Sequence, residues 1–119
     1  MLTLVPQMRV FVAIDPVDFR KGIDGLCGVC RQALMRDPLS GQVFVFRNRS
    51  GTALKLLVYD GQGFWLCQKR LSKGRFGWWP ESATEVSLEL EARQLQLVLW
   101  NGCPGGKALG ELWRALPAG

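Results

Sequence analysis

The sequence predicts an α+β domain: an antiparallel β-meander packed on one long helix, with a second helix on the C-terminal side. Three observations lead there. Residues 9–14, 42–47, 53–60 and 64–71 are short runs rich in Val, Phe and Leu, partly in period-two alternation, as strands are. The breaks after the second and third runs, Asn48-Arg49-Ser50-Gly51 and Asp60-Gly61-Gln62-Gly63, have tight-turn chemistry. Apolar residues recur at helical spacing in two other stretches. A chain of 119 residues is near the modal size of one domain, and the expected division is a single unit over residues 1–102 with a C-terminal tail over 103–119.

The elements follow in order. In the first strand Val10, Val12 and Ile14 share one face and Phe11 and Ala13 the other, and Asp15-Pro16 breaks it. Asp18 is the expected N-cap of a helix over 19–36, where Ile23, Leu26, Cys27, Cys30 and Leu34 form an apolar stripe. Asp37-Pro38-Leu39-Ser40-Gly41 is a turn into the three meander strands. A fourth pass is expected over 75–79, stopping at Pro80. A short strand over 85–88 and a helix over 91–100 complete the domain, Asn101-Gly102 being the helix stop. Leu109, Leu112, Trp113 and Leu116 give the tail the spacing of a short amphipathic helix.

Apolar residues make up 48% of the chain and charged residues 21%, ordinary for a globular protein. The absence of His excludes imidazole-based triads and His metal sites. No apolar run approaches the ~20 residues of a membrane span, and residues 1–6 lack the basic and apolar blocks of a signal peptide. A cytoplasmic protein without membrane association is the expectation. Four cysteines then read as reduced thiols. Cys27 and Cys30 form one CxxC inside a helical pattern, where they join the apolar stripe; the zinc alternative would also require the isolated Cys67 and Cys103.

The net charge is +5, and its distribution matters more than its sum. Residues 47–75 hold Arg47, Arg49, Lys55, Lys69, Arg70, Lys73 and Arg75 against the single acid Asp60. A positive excess confined to a quarter of the chain suits a polyanion, because phosphate neutralisation with counterion release drives non-specific nucleic-acid binding. In 69–79 four cations stand beside Phe76, Trp78 and Trp79 around a turn, so that cations can take phosphates while an aromatic stacks. The expected DNA-binding residues are Arg47, Arg49, Lys69, Arg70, Lys73 and Arg75. The competing reading leaves the cations in solvent and turns at least one aromatic into the core.

Asp15, Asp18, Asp37 and Asp60 are explained by turns and caps, and neither a carboxylate cluster for magnesium nor a phosphate-binding glycine loop occurs. No catalytic residue, metal or cofactor is expected. A magnesium-dependent nuclease would have to rely on Asp24 or Asp60.

The blocks Asp18-Phe19-Arg20-Lys21-Gly22-Ile23-Asp24-Gly25-Leu26, Asp37-Pro38-Leu39-Ser40-Gly41 leading into Val43-Phe44-Val45-Phe46-Arg47-Asn48-Arg49, then Lys55, Asp60-Gly61-Gln62-Gly63, Lys69-Arg70-Leu71, Gly74-Arg75-Phe76 and Trp79-Pro80 carry a resemblance. Together, in consistent order over residues 9–100, they resemble the small TnpB-type accessory protein of the insertion-sequence-66 family of bacterial transposable elements. The resemblance implies a non-catalytic protein encoded beside a separate transposase and needed for transposition, strand transfer belonging to the larger protein. The implied partners are DNA at the element ends and that transposase. An adaptor that meets the transposase without touching DNA would use Arg20, Lys21, Trp78 and Trp79. Three departures stand out. Glu89-Leu90 replaces the Ser/Thr-Pro that usually introduces the second helix, which predicts a weaker cap; the tail after Cys103 is atypical; and the CxxC falls where relatives have small apolar residues.

Overall fold

The computed structural model describes residues 4–104. Five strands, β1 (Arg9–Ala13), β2 (Val43–Arg47), β3 (Ala53–Tyr59), β4 (Phe64–Arg70) and β5 (Ser87–Glu91), form one sheet in the order β4-β3-β2-β1-β5. The class is the expected α+β. The meander is real for β2, β3 and β4, which pair antiparallel. The sheet as a whole is mixed, because β1 pairs parallel to β2, with Val10 opposite Val43, and antiparallel to β5.

Two helices cover opposite faces. Helix α1 (Ile23–Gln32) packs Leu26, Cys27 and Cys30 against Phe11, Phe44, Phe46 and Leu57. Helix α2 (Ala92–Leu99) packs Leu95 and Val98 against Val10, Val12, Val43, Val45 and Leu54 on the other side. Coverage of both faces explains why β1, β2 and β3 are almost continuously apolar rather than strictly alternating. Full burial of Phe44 and Phe46 contributes about 2–3 kcal/mol each. The CxxC thiols lie in this core, where desolvation pushes the Cys30 thiol up to about 12, so these are inert hydrophobic side chains.

Helix α1 is shorter than the spacing predicts, and its start has a specific cause. The buried Lys55 ammonium donates to the carbonyls of Phe19 and Lys21, both at 2.9 Å. A helix running from residue 19 would need those carbonyls for its own backbone ladder. The chain instead makes a turn, Lys21 N–H to the Asp18 carbonyl, passes through an extended Gly22, and enters the helix at Ile23. Asp18 therefore caps the turn and not the helix, accepting the Arg20 N–H at 2.9 Å. At the other end Arg36 N–H bonds the Cys30 carbonyl around Met35 at φ 55°, closing the helix four residues earlier than expected.

Residues 75–79 are not a strand. The chain leaves the outer strand β4 and crosses the α2 face to reach β5 at the far edge, so no strand lies beside it to form a ladder. It is held instead by the Asn101 side chain, which accepts the Gly77 N–H at 2.6 Å and donates to the Arg75 carbonyl. Trp78 inserts into the α2-side core at 2% exposure. The start of α2 corrects the weak-cap expectation, since Glu91 and Gln94 form a reciprocal capping box. Its end is the expected stop: Gly102 N–H returns to the Leu97 carbonyl and Asn101 N–H to that of Val98, with Asn101 at φ 62°. The tail helix expected around Leu109, Leu112, Trp113 and Leu116 lies outside the described residues.

Candidate nucleic-acid interface

One end of the sheet gathers three loops. Strands β1 and β2 run parallel and both finish there, β3 starts there and β4 ends there, so residues 14–22, 48–52 and 71–76 meet. The β2–β3 turn is organised by Asn48, whose Oδ1 accepts the N–H groups of Thr52 and Ala53 at 2.9 and 3.1 Å. Gly51, at φ 71°, supplies the left-handed residue this turn needs. Two main-chain bonds dock the next loop onto it: Leu71 N–H to the Thr52 carbonyl and Phe76 N–H to the Gly51 carbonyl, both 2.9 Å. Arg75 lies along the turn, its Cδ 3.9 Å from where a Cβ on Gly51 would stand.

The cations of the basic window have different fates. Arg49, Arg70, Lys73 and Arg75 are exposed. The ion pairs of the described residues join Arg9 to Glu89, Arg20 to Asp18 and Arg93 to Glu91, and none involves these four. Arg47 and Lys69 point to the opposite face of the sheet from Arg70, because strand alternation sets Lys69 beside Leu54 and Arg70 beside Ala53. Lys69 donates to the Leu99 carbonyl at the C-terminal end of α2, 5.8 Å from the Trp100 ring centroid. Arg47 is partly buried 5.7 Å from the Trp79 ring centroid, its Nε without a partner. Desolvation lowers its pKa, while Asp15 and Glu81 act in the opposite sense. The structure thus brings four of the six expected residues to the exposed loop end and sets two behind it.

Among the residues expected to meet a partner, Trp78 is corrected outright: buried in the core, it offers no surface. Trp79 is half-buried, and its indole N–H donates to the Ala13 carbonyl at 2.9 Å. Lys21 is exposed. Arg20 grips Asp18 through Nε and one terminal nitrogen, and these bonds hold the Asp18 carboxyl down to about 2. Between residues 16–19 and the turn residues Asn48, Arg49 and Ser50 lies a cleft of about 510 Å³.

The residue that sequence reasoning missed is Lys55. It counts toward the basic window, yet at 7% exposure it contributes nothing to the surface. It fixes the 19–21 segment against β3, with its ammonium 4.9 Å from the Phe19 ring centroid. The available signal was a lone Lys amid the apolar run of β3. Asp24, near the start of α1, and Asp60, beyond the far end of β3, stand at opposite ends of the fold, and among the described residues no group of His, Cys, Asp or Glu is placed to hold a metal ion. Nor is any described helix long and apolar enough to cross a membrane.

Fold and site together define a small α+β domain with a cationic loop end. The chain matches the family model of IS66 Orf2-like proteins over residues 8–105, and it belongs to that family. It is similar to uncharacterized protein y4hO of Sinorhizobium fredii, 39% identical over 99 residues that cover 83% of this chain and 84% of the relative. It is also similar to uncharacterized protein y4jC of the same organism, 42% identical over 69 residues, 58% of this chain and 59% of the relative. No solved structure matches. Family membership supports a transposition-related accessory role.

Proposed function

We propose that this protein is a non-catalytic accessory factor for transposition of an insertion sequence, acting in the cytoplasm, and that it contacts DNA at the element ends through Arg49, Arg70, Lys73 and Arg75. One observation carries the reading: the two main-chain bonds that join loop 71–76 to the β2–β3 turn gather exposed, unpaired cations at one end of the sheet. Guanidinium and ammonium groups held this way can bind successive backbone phosphates and release their counterions. Arg47 and Lys69 add to the local positive field from behind, though Arg47 is partly offset by Asp15 and Glu81. The chemistry of strand transfer remains with the transposase.

The test is charge reversal. The combined variant Arg49→Glu, Arg70→Glu, Lys73→Glu and Arg75→Glu should lose DNA binding in a filter or anisotropy titration while its circular dichroism stays unchanged. Undiminished affinity would refute this site. Capture of the transposase by the same variant separates the two partner roles: an adaptor acting through Arg20, Lys21 and Trp79 would still capture the transposase, and in that case the wild-type protein would show no DNA affinity to lose.

A further inference from the structure

The lining of the cleft between residues 16–19 and the β2–β3 turn suggests a ligand. We propose that the cleft receives one unpaired nucleotide of a DNA strand, so that the protein favours single-stranded stretches or overhangs over continuous duplex. This rests on the DNA-contact reading and adds to it the form of the strand. The volume of about 510 Å³ lies within the roughly 300–1,000 Å³ of small-ligand sites. Its walls differ in kind. Pro16, Val17 and Phe19 supply apolar surface on one side, and on the other Arg49 offers its guanidinium while the Asn48 and Ser50 side chains are engaged within the turn. A nucleobase has the same division, with apolar faces and a polar edge.

Charge sets the orientation. The Asp18 carboxylate on the first wall is taken up by Arg20, which donates to both of its oxygens and cancels its charge, so that wall adds no net charge to draw a phosphate. Arg49 on the opposite wall is unpaired and attracts the phosphate. The base therefore enters, and the backbone stays on the Arg49 side, from which Arg75 on the neighbouring loop takes the next phosphate. Bases stacked and paired in a duplex cannot enter such a cleft without being extruded. The site is also preformed: Lys55 clamps the Phe19 and Lys21 carbonyls and Asn48 pins the turn, so little ordering cost falls on binding.

The experiment compares a fluorescently labelled single-stranded oligodeoxynucleotide with a blunt duplex of the same sequence, by anisotropy at one fixed salt concentration. The expected result is about tenfold tighter binding of the single strand, in the lower part of what one stacked base contributes. Ser50→Trp, at an exposed turn position, fills the cleft, and Phe19→Leu removes the flat ring but keeps an apolar wall. Each should abolish the preference and leave duplex affinity unchanged, with thermal unfolding confirming that the variant folds; Ser50→Trp alone suffices should Phe19→Leu unfold. Equal wild-type binding of both DNAs, or a preference that survives Ser50→Trp, overturns the inference. If duplex binding then remains sensitive to reversal of the four cations, the DNA-contact reading stands without it; if neither DNA binds, both readings fall.

Discussion

The two hairpin turns of the meander are built by the same chemistry and end in different surroundings. At the β2–β3 turn an Asn48 side chain gathers two backbone N–H groups around a left-handed Gly51. At the β3–β4 turn Asp60 does the same for Gln62 and Gly63, both at 2.9 Å, around Gly61 at φ 96°. The second turn is then closed locally by aromatics, the Trp65 indole donating to Asp60 and the Tyr59 hydroxyl to the Gly61 carbonyl. The first has no such lid; loops from distant sequence dock on it and bring cations. Local turn chemistry thus decides that a hairpin forms, and strand order decides which hairpin has other loops docked on it.

The largest expected effect comes from removing the support beneath the first turn's neighbour. Lys55→Met leaves two carbonyls without their donor and should destabilise the protein by about 2–3 kcal/mol in urea unfolding, since bonds to a charged group are among the stronger ones. Asn48→Ala should cost about 1–2 kcal/mol and also weaken DNA binding, because the turn presents Arg49 and anchors loop 71–76. Asp60→Ala, at the opposite turn, should destabilise less and leave DNA affinity unchanged; a comparable loss of affinity would erase the distinction between the two ends.

The smallest effect is one of pH. Asp60 is held below the ordinary carboxylate range by the N–H groups of Gln62 and Gly63, and Asp18 at about 2 by Arg20. A depressed folded-state pKa contributes stability that is complete above the unfolded value, 3.8 for Asp18, and is lost as pH falls through the folded one. Stability should therefore decline on acidification below about pH 4, and Asp18→Asn should flatten that decline down to about 2.

Much of this was legible in the sequence because it is local. Alternation located β1 and the meander, turn residues located both hairpins, and Asn101-Gly102 marked the end of α2. What was not legible depends on contacts distant along the chain. The start of α1 is set by Lys55, more than thirty residues away. Residues 75–79 alternate as a strand would, yet they cross a sheet face where Asn101 satisfies them and Trp78 fills the core. The basic window was visible as a run of charge; its partition into buried Lys55, rear-facing Arg47 and Lys69, and four cations at the loop end follows from register and strand order.

The most direct measurement of the central claim is the dependence of DNA affinity on salt. With four phosphate contacts, log K against log salt should fall with a slope of about −3 to −4, and each single substitution of Arg49, Arg70, Lys73 or Arg75 by Ala should reduce that slope by about one. A slope near zero, or one that none of the four substitutions changes, would contradict the account.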